Sequence, residues 1–149
     1  MKKDVVVKSV GEGERAAWEP LWAGYLTFYK TSVPAATSDV TWSRFHDPAE
    51  PMYLLGAYVD GKLTGIVHYI FHRSTWTPGN YCYLQDLFVD DSARGLGLGR
   101  ALIEAVYAKA SEAGASRVYW LTHETNAQAR ILYDQVADRP GFIQYRKIF

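Results

Sequence analysis

Cysteine is nearly absent from the 149 residues: Cys82 stands alone, so no disulfide can close within the chain and no cysteine-rich zinc site can be built. Charge of neither sign is in excess, since 16 Lys and Arg face 16 Asp and Glu. A balance of zero argues against holding nucleic acid chiefly by its phosphate backbone. Long apolar runs are missing too. No stretch approaches the ~20 apolar residues of a membrane span. The opening MKKDVVVKSV has three consecutive valines as its longest apolar run, too few for a secretory signal. Repeats, low-complexity tracts and linkers are lacking. The expectation is one domain over residues 1–149, cytoplasmic, with neither membrane nor nucleic acid as partner.

What is present suits a packed core: 48% hydrophobic residues, 21% charged and an aromatic share of 15%. Residues 4–10 are valine-rich and predict a short strand. Trp18, Leu21, Trp22, Tyr25, Leu26 and Tyr29 recur at spacings of three and four, the signature of an amphipathic helix. Pro20 is expected in its first turn or at a kink. Residues 38–45 suggest a second short helix.

Residues 52–59 and 62–71 flank Asp60-Gly61, a strong hairpin signal. Residues 81–89 predict a third long strand. The period then changes. Leu98, Leu102, Ala105, Val106 and Ala113 fall on one helical stripe, with Gly114 placed to end it. Residues 118–121 predict a short strand. Thr125 and Gln128 match a capping box before a helix carrying Ala129, Leu132, Tyr133 and Val136. Residues 141–148 predict a last strand. This order implies a mixed α/β protein: one central sheet, antiparallel and then βαβ, with helices on both faces.

Between the third long strand and the most regular helix lies DDSARGLGLGR, residues 90–100. Gly95, Gly97 and Gly99 alternate, leaving no Cβ between a ligand and the backbone amides. Those amides open a helix, where unpaired N–H groups and the macrodipole favour anions. Arg94 and Arg100 bracket the loop and can add charge-assisted hydrogen bonds. A pyrophosphate suits such a loop; a plain helix-capping turn is the other reading. The Rossmann spacing fails, because Arg100 and Leu102 stand where glycine is needed. The Walker spacing fails for want of a lysine.

At this point the residues resemble a known family. Arg94-Gly95-Leu96-Gly97-Leu98-Gly99 is similar to the [QR]-x-x-G-x-[GA] motif of GNAT-type N-acetyltransferases. Residues 83–89, YLQDLFV, resemble the strand before that motif, and residues 126–133, NAQARILY, resemble its N-x-x-[AS]-x-x-[LF]-Y segment. The likeness runs from about residue 5 onward and is greatest to the branch of diamine acetyltransferases and fungal Hpa-type histone acetyltransferases.

The resemblance implies the GNAT acyl-CoA N-acyltransferase fold and acetyl-CoA as cosubstrate, with no metal. It implies a V-shaped gap between two splayed parallel strands. The pantetheine arm would pair with backbone at Leu87, Phe88 and Val89. The pyrophosphate would lie on amides of Arg94, Gly95, Leu96, Gly97, Leu98, Gly99 and Arg100. Asn126 would contact the cosubstrate and Tyr133 would point at its sulfur. A homodimer is also implied, with the last strand a contributor.

Acetyl transfer needs a neutral amine, whereas a lysine-like amine has a pKa of about 10.4. A base must take that proton. Where diamine acetyltransferases commonly carry a glutamate, this chain has Gln85, which cannot serve. Asp86 is next door, although neighbours on a strand face opposite sides. His123 and Glu124 are further candidates, and a water chain is a fourth. The backbone N–H of Leu87 would face the developing oxyanion by family analogy. Tyr133 is assigned to the leaving thiolate, as proton or hydrogen-bond donor.

Tyr25 and Tyr29 can line the acceptor side and offer cation–π contact. Gln85, Glu50, Asp86 and Glu124 can add polar or negative groups there. The acceptor is read as a small-molecule amine, a polyamine or amino compound, attacked in a ternary complex; a protein lysine and a non-catalytic acyl-CoA-binding module are the rivals. His68 and His72 are four apart, which on a strand separates their Cα atoms by ~13 Å and rules out a shared metal.

Overall fold

The computed structural model describes residues 2–149. Its elements are β1 (Val5–Ser9), α1 (Arg15–Phe28), α2 (Ala35–Phe45), β2 (Met52–Val59), β3 (Lys62–His72), β4 (Tyr81–Val89), α3 (Leu98–Glu112), β5 (Val118–Tyr119) and α4 (Ala127–Val136). Five strands form one sheet in the order β1-β2-β3-β4-β5. The first three pairings are antiparallel and β4 pairs with β5 in parallel. The mixed α/β sheet expected from the element order is present, and no described helix is long and apolar enough to cross a membrane.

The β2–β3 turn follows its sequence: Asp60 (φ 49°) and Gly61 (φ 83°) are both left-handed, as a two-residue hairpin requires. Helix α3 buries Leu98, Leu102, Ile103, Val106 and Ala110 against one sheet face, together with Leu55, Val67 and Leu84. The other face carries α1 and α2, where Trp18, Leu21 and Trp42 pack on Leu54 and Ile66. Each fully buried large apolar side chain contributes roughly 1.5–3 kcal/mol. The two clusters therefore clamp the sheet from both sides and fix where its strand ends lie.

Four sequence expectations change. Pro20 lies inside α1, beyond its first turn, and the helix runs through it. The residue is exposed, so the carbonyl it leaves unpaired faces solvent. Strand β5 has only two residues, because its ladder with β4 stops after Tyr83–Tyr119. Helix α4 starts from Asn126 rather than from a capping box at Thr125, and no side chain caps it. Residues 141–148 form no strand. Their composition suits one, but a strand needs a ladder partner, and these residues find none among the described residues.

Cys82 is fully buried in the α3-side core, and burial pushes its thiol up from 9.0 to about 11. The folded state thus holds the proton more tightly than the unfolded one. That stabilisation is complete below 9.0 and is lost as pH rises through about 11. Replacing Cys82 with Ala is expected to flatten the fall of the denaturant midpoint across this window. Equal slopes for both proteins would show that the thiol is not the titrating group.

Candidate active site

Parallel strands β4 and β5 share only the pairs Cys82–Val118 and Tyr83–Tyr119. Beyond Tyr83, β4 continues to Val89 with its β5-side edge unpaired. Leu87, Phe88 and Val89 therefore offer main-chain groups to an added extended ligand. Their side chains are committed to packing: Leu87 and Val89 on the α3 side, Phe88 among the α1-side aromatics.

The gap runs down to the glycine loop. Gly95 (φ 82°) and Gly97 (φ 74°) are both left-handed, and a Cβ placed on either would meet nothing within 4 Å. Gly97 is the N-cap of α3 and no side chain caps the turn. The first-turn amides of Leu98, Gly99 and Arg100 are thus left without intrahelical acceptors. The loop is not plugged, as a pyrophosphate cradle requires. Leu98 can contribute its amide but not its side chain, which is buried at 2% exposure. Arg94 and Arg100 turn sideways: Arg94 pairs with Asp91 at 2.8 Å, and Arg100 bonds Gln135. Both remain at the surface, within side-chain reach of the loop.

Above the gap, a bulge sets the chemistry. In the β3–β4 ladder His68 faces Asp86 and Tyr69 faces Leu84, so Gln85 is surplus. Leu84 and Leu87 both pack on the α3 side although three residues apart. Strict alternation would have placed them on opposite faces. Gln85 is left exposed, and Asp86 turns to the α1 face, where its Oδ2 lies 2.9 Å from Nδ1 of His68. Simple alternation at this point was the expectation that the structure overturns.

Tyr25 and Tyr29 lie against each other along α1, with rings tilted by 50° and centroids 4.9 Å apart. Burial, and then the Asp86 charge, push both phenols above their ordinary value; a hydrogen bond with Thr122 partly opposes the rise at Tyr29. Tyr83 is raised by burial and Asp86 as well. The Asp86 carboxylate is therefore near enough to all three phenols for its charge to be felt by each.

Tyr133 on α4 packs edge-on against Trp120 at 5.4 Å. Burial, with a contribution from Tyr29, pushes its phenol up to about 12. Tyr133 thus holds its proton throughout the physiological range. It is also a weaker acid than any thiol near ~8.5, so it suits hydrogen-bond donation to a leaving thiolate rather than full proton transfer.

Asn126 points its side-chain amide at Thr122 Oγ1, 3.1 Å away. His123 is exposed, with its ring 5.7 Å from that of Tyr29. An open cavity of about 390 Å³ is lined by Phe28, Tyr29, Lys30, His123, Thr125 and Asn126. The side chain of Glu124 is exposed, while its carbonyl accepts from Arg130 at 2.5 Å. Glu50 sits 3.9 Å from Arg44, an ion pair outside the Asp86 group.

Sequence reasoning missed His68 as a neighbour of Asp86, and Lys30 at the cavity. The His68–Asp86 contact depends on a cross-strand bulge, which leaves no local mark. His72 binds the Tyr119 hydroxyl at 2.7 Å, so the two histidines serve different neighbours.

The family model described as Acetyltransferase (GNAT) family matches residues 17–137. The chain belongs to the GNAT acetyltransferase family and is an N-acetyltransferase. A D-amino-acid N-acetyltransferase, HPA3, of Saccharomyces cerevisiae is 36% identical over 145 residues, covering 96% of this chain and 90% of that protein. A thialysine N-epsilon-acetyltransferase of Caenorhabditis elegans is 30% identical over 80 residues, which cover 54% of this chain and 49% of that one. Among solved structures, the aminoglycoside N-acetyltransferase AAC(6')-Iy in complex with CoA has a TM-score of 0.81 at 16% identity, over 99% of this chain and 97% of that chain.

Proposed function

We propose that the chain acetylates the primary amine of a small amino compound, with acetyl-CoA as donor and direct attack in a ternary complex. One observation carries this reading: a carboxylate, Asp86, ringed by Tyr25, Tyr29 and Tyr83, faces a strand gap that ends on uncapped helix amides. The relatives support the substrate class, since their names specify D-amino acids and thialysine.

Acetyl-CoA supplies the activated acyl group. The backbone of Leu87–Val89 and the amides from Gly95 to Arg100 hold it, with Asn126 beside it. Asp86 attracts the acceptor ammonium and takes its proton. Tyr25 and Tyr29 shield the ammonium and lend it their ring faces. Tyr133 donates to the departing sulfur. His123, at the cavity mouth, is the second candidate for proton removal.

The test has two stages. Acetyl-CoA and CoA are expected to raise the melting temperature where NAD and ATP do not, by mass action on the folded state. CoA release is then measured with D- and L-amino acids, diamines, aminoglycosides and a lysine peptide. No thermal shift with acetyl-CoA ends the donor assignment; turnover of the peptide alone ends the small-molecule assignment.

We also propose a homodimer joined through the segment after α4. Phe142, Ile143, Tyr145 and Ile148 are 82%, 76%, 89% and 75% exposed. Beside β5 lies an open groove of about 370 Å³ whose lining includes Tyr107, Val118 and Ala137. A second copy's segment can complete the short β5 edge and cover this apolar surface. Ile143→Asp with Ile148→Asp is expected to weaken association at least tenfold, read by light scattering on a sizing column. A parent chain monomeric at high micromolar concentration would end this assignment.

A further inference from the structure

Among the described residues the most buried side chain of the polar and charged types is His68, 2% exposed beneath α1. Its Nε2 lies 3.0 Å from the indole Nε1 of Trp18, and its Nδ1 lies 2.9 Å from Asp86 Oδ2. Indole nitrogen can only donate. Nε2 must therefore accept, and the ring proton resides on Nδ1, from which it is donated to Asp86. The opposite tautomer would set two N–H groups against each other and a bare nitrogen against a carboxylate.

We infer that His68 is a positioning residue for acetyl transfer: locked by Trp18, it fixes the rotamer of Asp86 through Oδ2 and so holds the carboxylate toward the acceptor amine. The ring cannot turn away. Trp22 and Phe45 flank it, at 5.3 Å and 4.7 Å between centroids. The chain of contacts Trp18, His68, Asp86 joins α1, β3 and β4, so the α1-side core is tied directly to the carboxylate in the cleft. A partner for Asp86 is needed at this place. The bulge at Gln85 frees Asp86 from the regular alternation of the strand, and a short carboxylate without such a partner would sample several rotamers. The arrangement is that of a base oriented by a third group, as catalytic geometry demands.

The inference rests on the assignment of Asp86 to the acceptor, and three measurements separate the two. In ¹⁵N-edited spectra of the intact protein, His68 is expected to show the Nδ1-protonated pattern; an Nε2-protonated ring overturns the inference whatever the activity. His68→Leu keeps the volume but loses the donor. It is expected to lower kcat/KM for the amine by about ten- to a hundredfold, the loss of one hydrogen bond to a charged group, with the KM for acetyl-CoA within about twofold. His68→Asn keeps a donor near the Nδ1 position and is expected to recover most of that loss. Equal activity of the Leu and Asn variants overturns the positioning role. Wild-type rates in Asp86→Asn would instead remove the assignment on which it rests.

Discussion

Asp86→Asn is expected to lower kcat/KM for the amine by about 10²- to 10⁴-fold at neutral pH, the range of a lost general base. Asparagine has the shape of aspartate, and its carbonyl oxygen can still accept from His68 Nδ1, so the buried pair of the native protein survives. What disappears is the charge that attracts an ammonium and the lone pair that takes its proton. The sign of the pH dependence follows. An acceptor of pKa about 10.4 is almost wholly protonated at neutrality and loses that proton unaided as pH approaches this value. The deficit of the variant should therefore shrink steadily toward alkaline pH. Burial and the Asp86 charge raise both the Tyr25 and the Tyr29 phenols above their ordinary value, which lessens their part in this window. Steady-state rates against pH for both proteins, with acetyl-CoA saturating, supply the measurement. His123→Ala belongs in the same series. His123 is exposed and stands beside Tyr29 rather than Asp86, so its loss is expected to cost less. A reversed order, or a loss under about threefold in Asp86→Asn, would move the base to His123 or to water.

The parts of this site that were legible in advance share one property: their signal is local. Asp60-Gly61, the stripe of Leu98, Leu102 and Val106, and the alternating glycines each declare their geometry within a few residues. The structure places the turn, the stripe, Gly95 and Gly97 accordingly, whereas Gly99 lies inside α3, where a Cβ would meet Leu132 at 3.3 Å. Asp86 is legible as a candidate, but its contact with His68 is not. Its orientation depends on a surplus residue in the β3–β4 ladder. Cross-strand register of that kind is settled by packing on both faces, here Leu84 and Leu87 on one and Asp86 on the other, and no short window of sequence encodes it. The residues after Gly141 fail for a different reason. The strand expected over residues 141–148 does not form, because a strand needs a ladder partner and no described residue pairs with them.

Gly97→Val is expected to raise the KM for acetyl-CoA by about 10²-fold while leaving kcat at saturation within a few-fold. Gly97 is left-handed at φ 74° and caps α3. A β-branched residue is strained there by roughly 1–3 kcal/mol. Strain alone cannot explain an effect on the cosubstrate, so a second variant is required. Gly114, at the opposite end of the same helix, has φ 77°, and like Gly97 it has open space where a Cβ would go. Gly114→Val thus imposes comparable backbone strain far from the loop. The two variants should lose similar stability by denaturant titration, yet only Gly97→Val should weaken acetyl-CoA, because only there does the new side chain stand between a diphosphate and the bare amides of α3's first turn. Isothermal titration with CoA gives the affinity directly and is independent of the acceptor. Equal affinities in the two variants would mean that the diphosphate lies elsewhere, and with it the orientation of the thioester toward Asp86 and Tyr133. Weakened binding confined to Gly97→Val would tie the positive end of α3 to the cosubstrate.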